Sequence, residues 1–168
     1  MNLAHGFPPI AADSAHTLVL GSMPGIISLQ AQQYYAHPRN LFWPFMQQLL
    51  GISTDLPYIQ RCARLQANGI ALWDVLGKCQ RQGSLDTAIE TGSMEANDFA
   101  GFLQTHTAIT RICFNGAKAE AVWHKLVVPA LDPAAATIKT IRLPSTSPAN
   151  ASISMEHKLQ QWRILTHE

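Results

Sequence analysis

Between Gly21 and Trp43 the chain concentrates residue types that can hold a flat, polar ligand. Gly-Ser-Met-Pro-Gly (21–25) is followed by Tyr34, Tyr35, His37, Arg39 and Asn40. Aromatic rings beside amide and charged groups suit a planar heterocycle that is stacked on one face and hydrogen-bonded at its edges. A single tyrosine in such a place reads as a plug for the core, whereas the whole cluster reads as a site. The pentapeptide is too short for a dinucleotide fingerprint and lacks the Lys of a P-loop. Asp74 directly follows an apolar run; it serves either as a hydrogen-bonding group of the site or as a cap for the Val75–Gly77 segment. Asn115-Gly-Ala-Lys118 opens a helical stretch whose free N–H groups suit an anion, with Lys118 adding charge. Histidines at 37, 106 and 157 have no metal-binding spacing, and no GxSxG elbow makes Ser22 a nucleophile.

Taken in order, Gly21–Gly25, Tyr35-Ala36-His37-Pro38 and Arg39-Asn40-Leu41-Phe42-Trp43 resemble the first motif of the mismatch-specific uracil-DNA and thymine-DNA glycosylases. They resemble still more the hypoxanthine-DNA (deoxyinosine) glycosylase branch of the uracil-DNA glycosylase superfamily. The similarity continues through FPPI (7–10), LWDVL (72–76), SLD (84–86), FNGAKA (114–119) and LPSTSPA (143–149), and so spans nearly the whole chain. It implies a monofunctional DNA glycosylase that flips a deaminated base, preferably hypoxanthine, out of duplex DNA and hydrolyses its bond to deoxyribose. No metal or organic cofactor is implied. By the same resemblance Tyr35 stacks the extruded base, Gly21, Ser22 and Met23 lie against it, and Asp74 reads its edge. The loop after Leu143 corresponds to a DNA-insertion loop, with Ser145, Thr146, Ser147 and Pro148 at the DNA and Ser145 and Ser147 as the phosphate contacts. Lys118 completes the DNA-contacting set.

Two positions depart from the mismatch-specific pattern. The third residue of the first motif, commonly a water-positioning Asn, is Met23, which offers no useful hydrogen bond. The last motif begins with Leu143 rather than His or Asn. In the hypoxanthine branch the key amide resembles Asn40 instead. Hydrolysis of an N-glycosidic bond needs a placed water, a donor toward the departing base and stabilisation of developing charge. An amide can orient water and donate, so Asn40 is assigned to water or base positioning, a role compatible with capping the following helix. Phe42 and Trp43 belong to the core face of that helix. The rival readings are the same chemistry on uracil or mismatched thymine, and a non-catalytic nucleic-acid-binding domain of the same fold.

These residues need a scaffold. Thr17–Gly21, Ile70–Asp74 and Arg111–Asn115 are short, continuously apolar runs, as expected of strands covered on both faces. Thr137–Leu143 alternates and reads as a strand nearer an edge. Helices are expected over Asn40–Leu50, closed by Gly51, and from a Thr54 or Asp55 cap through Gln66. Others are expected over Glu95–Thr105, Ala117–Val127 and Met155–His167, the last capped by Ser152 or Ser154. The alternation predicts an α/β protein, a three-layer α/β/α sandwich around a four-stranded, mainly parallel sheet. Its chemistry then belongs in the loops beyond the carboxyl ends of the strands.

Length and composition set the outer bounds. The 168 residues suit a single domain spanning the chain, and 47% hydrophobic with 14% charged residues is globular. No run is long and apolar enough for a membrane span, and the first residues lack the pattern of a signal peptide, so a cytoplasmic protein is expected. Cys62, Cys79 and Cys113 form no CxxC pair; free thiols are expected, and no metal site. A net charge of +1 means that binding to duplex DNA must rest on a local patch. A monomer is expected.

Overall fold

A computed structural model describes residues 3–167. In chain order its elements begin with strands β1 (Leu3–His5) and β2 (Thr17–Gly21), and helices α1 (Ile26–Ala31), α2 (Phe42–Leu50) and α3 (Tyr58–Ala67). Strands β3 (Ile70–Asp74), β4 (Leu76–Gln80) and β5 (Glu95–Ala96) precede helix α4 (Phe99–Thr105). Strand β6 (Arg111–Asn115), helices α5 (Ala117–Val122) and α6 (Pro133–Ala136), strand β7 (Lys139–Leu143) and helix α7 (Met155–Trp162) complete the order.

The main sheet has the order β3-β2-β6-β7 and is parallel throughout. Alternation of side chains divides each apolar run between two cores. Leu18, Leu20, Ala71, Trp73, Ile112 and Phe114 face one way and pack with Phe99, Phe102 and Leu103 of α4 and Val122 of α5. Val19, Ile70, Leu72 and Cys113 face the other way and pack with α2, α3 and α7 through Phe42, Met46, Leu65 and Trp162. Helical layers on both faces explain why the first three strands read as unbroken hydrophobic sequence, and the expected three-layer sandwich is the observed one. β7 lies at the edge, which accounts for its alternation: Lys139, Thr140 and Arg142 are exposed.

Several local expectations need correction. The helix expected from Asn40 starts at Phe42, because Asn40 closes the preceding turn by accepting the Phe42 N–H at 2.9 Å. The next helix is entered through Pro57 rather than capped by Thr54 or Asp55; the Thr54 N–H is taken by the Gln47 side chain instead. Glu95 is in a strand, and the helix after it is capped by Asp98, which accepts the Gly101 N–H at 3.0 Å. The Ala117 helix continues as a wider π turn over Trp123–Val127, and the short α6, which opens at Pro133 and is capped by Asp132, precedes the last strand. Thr137 and Ile138 close that turn, so the last strand begins at Lys139. α7 is capped by Ser154 as expected but gives way to a 3-10 turn at Arg163–Thr166. A second, antiparallel sheet of order β1-β4-β5 was not anticipated. The three cysteines are buried, free thiols. Among the described residues no helix is long and apolar enough to cross a membrane, and no three His, Cys, Asp or Glu side chains gather as metal ligands.

Candidate active site

Strand β2 connects to β3 on one side, and the chain then crosses to β6 on the other, so the crevice beyond the carboxyl ends opens where the strand order reverses. A cleft of about 920 Å³ lies there. All eleven residues proposed from sequence line it: Gly21, Ser22, Met23, Tyr35, Asn40, Asp74, Lys118, Ser145, Thr146, Ser147 and Pro148. They arrive from four strand ends because each of β2, β3, β6 and β7 stops at the same level.

The cleft floor is built on Gly21. A Cβ at this position would stand 2.5 Å from Asp74 Oδ1 and 3.2 Å from the Tyr35 hydroxyl, so the missing side chain is what lets both polar groups converge. Asp74 is 4% exposed, and its Oδ2 has no hydrogen-bond partner; the buried Tyr35 hydroxyl has none either. An unpaired buried polar atom costs about 1–3 kcal/mol, so two side chains that converge on Gly21, each carrying one, mark a place built for a polar ligand. Burial, reinforced by the nearby negative charge of Asp86, raises the Asp74 carboxyl to about 7, while Arg81 opposes the rise. Burial and then the Asp74 charge push the Tyr35 phenol well above its ordinary range. Asp74 makes no side-chain cap for the segment after it.

The two adjacent tyrosines divide the roles that sequence left open. Tyr34 is 3% exposed and plugs the core, donating to the Pro8 carbonyl at 2.9 Å and meeting Phe7 edge-on at 5.2 Å. Tyr35 takes a left-handed backbone (φ 57°), which turns its side chain toward the cleft. One face of its ring stacks on Phe42 at 4.3 Å between centroids, with 23° between planes. Met23 is 7% exposed and joins the core packed around Trp73 as well as the cleft wall.

The loop after β7 is held along its length. Trp162 Nε1 donates to the Pro144 carbonyl at 2.9 Å, and Lys158 Nζ donates to the Asn150 carbonyl at 2.5 Å. Asn115, at the end of β6, donates to Thr146 Oγ1 and accepts the Thr146 N–H, both at 2.9 Å. Thr146 is therefore committed to anchoring the loop and is 1% exposed. Ser145 Oγ accepts the Ser147 N–H and Ser147 Oγ the Ala149 N–H, at 3.1 and 3.2 Å, an arrangement that leaves both hydroxyl protons for an external acceptor.

The profile of the uracil DNA glycosylase superfamily matches residues 8–166. The chain belongs to that superfamily. It is 38% identical over 118 residues to a hypoxanthine DNA glycosylase of Methanosarcina acetivorans, covering 70% of this chain and 73% of the relative. To a hypoxanthine DNA glycosylase of Methanosarcina barkeri it is 36% identical over 114 residues, 67% of this chain and 71% of that one. A solution NMR structure from Methanosarcina acetivorans, described as a candidate uracil DNA glycosylase, superposes with a TM-score of 0.83 at 33% identity. That match covers 99% of this chain and 98% of the other.

For a member of this superfamily, the structure adds site residues that sequence reasoning left without a role. Asp86 takes a 2.5 Å hydrogen bond from Ser22 Oγ, and Arg81, 4% exposed, donates Nη2 to the Pro24 carbonyl. Asn115 braces the last loop as described. Asp86 and Asn115 both lie within motifs that carried the resemblance, so that signal was present; nothing local marked Arg81.

Proposed function

We propose that this chain is a monofunctional DNA glycosylase that excises hypoxanthine from duplex DNA, acting as a monomer. The observation that carries this reading is the cleft floor, where Asp74 Oδ2 and the Tyr35 hydroxyl lie buried without partners beside an aromatic ring. A neutral carboxyl presents a donor and an acceptor side by side, matching the N1–H and C6=O edge of hypoxanthine. The free face of Tyr35 offers the stacking surface that compensates part of the cost of unstacking the nucleotide.

In the mechanism, water adds to C1′ as the N9–C1′ bond breaks; the bond's electron pair passes to the purine, which takes up a proton, and the proton lost by the water passes to solvent. Asp74, neutral at the start, accepts the N1–H and donates to O6, onto which part of that charge is delocalised. Asn40 lines the cleft, and with its oxygen engaged by the Phe42 N–H its NH₂ is left as the group available to a ligand. It positions the water or the base. Ser145, Ser147 and Lys118 receive phosphates at the rim. Hydrolysis without a covalent lysine adduct fits the distribution of lysines: Lys78 pairs with Glu95 at 3.9 Å and does not line the cleft, and Lys118 stands with the phosphate-binding group.

The test uses duplex oligonucleotides carrying hypoxanthine, uracil, xanthine or a G·T mismatch, scored for abasic sites. Hypoxanthine is expected to be released fastest. Release of uracil or thymine ahead of it overturns the base assignment, and binding without release of any base overturns the enzyme assignment. Gly21→Ala tests the floor directly. The added methyl displaces Asp74 or Tyr35, so the single-turnover rate of the folded protein is expected to fall about tenfold or more, alongside about 1–3 kcal/mol of overpacking cost in stability. An unchanged rate would remove the convergence of these two groups from the mechanism.

A further inference from the structure

Flipping a nucleotide leaves a base-sized gap in the stack, and flipping and bending proteins commonly fill such gaps with an apolar side chain. The loop 143–150 has none of suitable size: its largest apolar members past Leu143 are prolines and Ala149, and Leu143 itself is buried in the core. The opposite rim differs. Leu85 is 55% exposed, Ile26 41% and Ile27 40%, and both Leu85 and Ile27 line the mouth of the cleft. Single exposed hydrophobics are ordinary, but Leu85 and Ile27 both belong to the cleft lining, and Ile26 is tied through its N–H to Ser84, next to Leu85.

The backbone carrying Leu85 is braced on both sides. Ser84 Oγ accepts the Ile26 N–H at 2.8 Å, Asp86 accepts from Ser22 at 2.5 Å, and the buried Arg81 guanidinium holds the Pro24 carbonyl. The neighbours of Leu85 are thereby tied to the turn that lies against the extruded base, while Leu85 itself projects. A wedge works only if its mount does not yield, and this segment is pinned to the pocket it would serve.

We propose that Leu85, with Ile27 beside it, is the wedge that enters the base stack and occupies the place of the flipped nucleotide. This assigns the gap-filling role to the rim opposite the polar loop, so the two rims divide the work: hydroxyls and Lys118 hold phosphates, and Leu85 holds the gap. The inference rests on the excision reading above.

The test compares the full-length protein with Leu85→Ala, Leu85→Met and, as an exposed control outside the cleft, Ile59→Ala. Single-turnover excision is measured on deoxyinosine in duplex and in single-stranded DNA. Stopped-flow fluorescence of 2-aminopurine placed beside the lesion reports unstacking. In Leu85→Ala the duplex rate is expected to fall about tenfold or more while the single-strand rate stays within about twofold, because a lone strand leaves no gap to fill. The 2-aminopurine rise should be lost, Leu85→Met should restore it, and Ile59→Ala should match the parent. An unchanged duplex rate, an equal loss on both substrates, or an intact fluorescence rise overturns the wedge. If the parent protein releases no base from either substrate, the excision reading has failed. The wedge is then judged by fluorescence alone: a rise present in the parent and lost in Leu85→Ala supports it, and any other pattern rejects it.

Discussion

Replacing Asn40 by Ala is expected to lower the single-turnover excision rate about a hundred- to thousandfold, the loss typical of removing one preorganised polar group from a reacting centre. The geometry sharpens the expectation. Asn40 Oδ1 accepts the Phe42 N–H at 2.9 Å, which orients the amide and leaves its NH₂ for water or base. Asn40→Asp separates the two functions: a carboxylate still accepts the Phe42 N–H but cannot donate. Asn40→Asp should therefore keep the melting temperature of the parent and lose activity about as far as Asn40→Ala. The Ala variant should also lose about 0.5–1.5 kcal/mol of stability with the hydrogen bond from the Phe42 N–H. An Asp variant of near-parent activity would show that the oxygen, not the NH₂, does the work; an active Ala variant would remove Asn40 from the chemistry.

Asp74 carries the second expectation, in pH. Its carboxyl is held at about 7 by burial and by Asp86. As the neutral acid is the donating form, the single-turnover rate should be level at low pH and fall about tenfold per pH unit above 7. Asp74→Asn, which cannot transfer a proton, should lower the rate about a hundredfold and abolish that decline. A rate that instead rises through pH 7 would mean that the ionised carboxylate accepts the N1–H of the base.

The same group sets a stability trend. Between about pH 4 and 7 the unfolded chain gives up a proton that folded Asp74 retains, so stability falls as pH rises through this window and levels off above it. A rise from 3.8 to about 7 corresponds to on the order of 4 kcal/mol. Asp74→Asn should flatten this part of the pH–stability curve and stabilise the protein at pH 8, less any cost of an unpaired amide donor. Denaturant titrations at pH 4, 6 and 8 measure it. A parent curve without this decline would mean that Asp74 ionises in the folded state as freely as in the unfolded chain.

Much of the scaffold was legible because burial leaves a local trace. Thr17–Gly21, Ile70–Asp74 and Arg111–Asn115 have the residue bounds expected of them, since a strand covered on both faces shows an unbroken apolar run that polar residues or glycine bound. Helix starts were less legible: Asn40, Thr54 and Asp55 all look like caps, and only the hydrogen bonds from the Phe42 N–H to Asn40 and from the Thr54 N–H to Gln47 decide where the helices begin. The small sheet left no usable pattern, because β1 and β5 are two or three residues long and β4 is partly exposed.

By itself the sequence determined the superfamily, the sheet at the centre and the set of residues that meet in the cleft between Gly21 and Pro148. Ordered motifs and apolar runs are properties of contiguous residues, and they survive without coordinates. Tertiary structure alone decided how those residues are used. Both Tyr34 and Tyr35 border the cleft, but Tyr34 gives its hydroxyl to the Pro8 carbonyl, whereas Tyr35, on a left-handed backbone, keeps its own unpaired. Thr146 is spent on Asn115, 31 residues away, while Ser22 is paired with Asp86 across 64 residues and Arg81 with Pro24 across 57. Contacts over such separations depend on how layers pack, and no local spacing records them. The perturbed carboxyl of Asp74 belongs to this second class, because it arises from burial and from a neighbour's charge that the fold alone brings together.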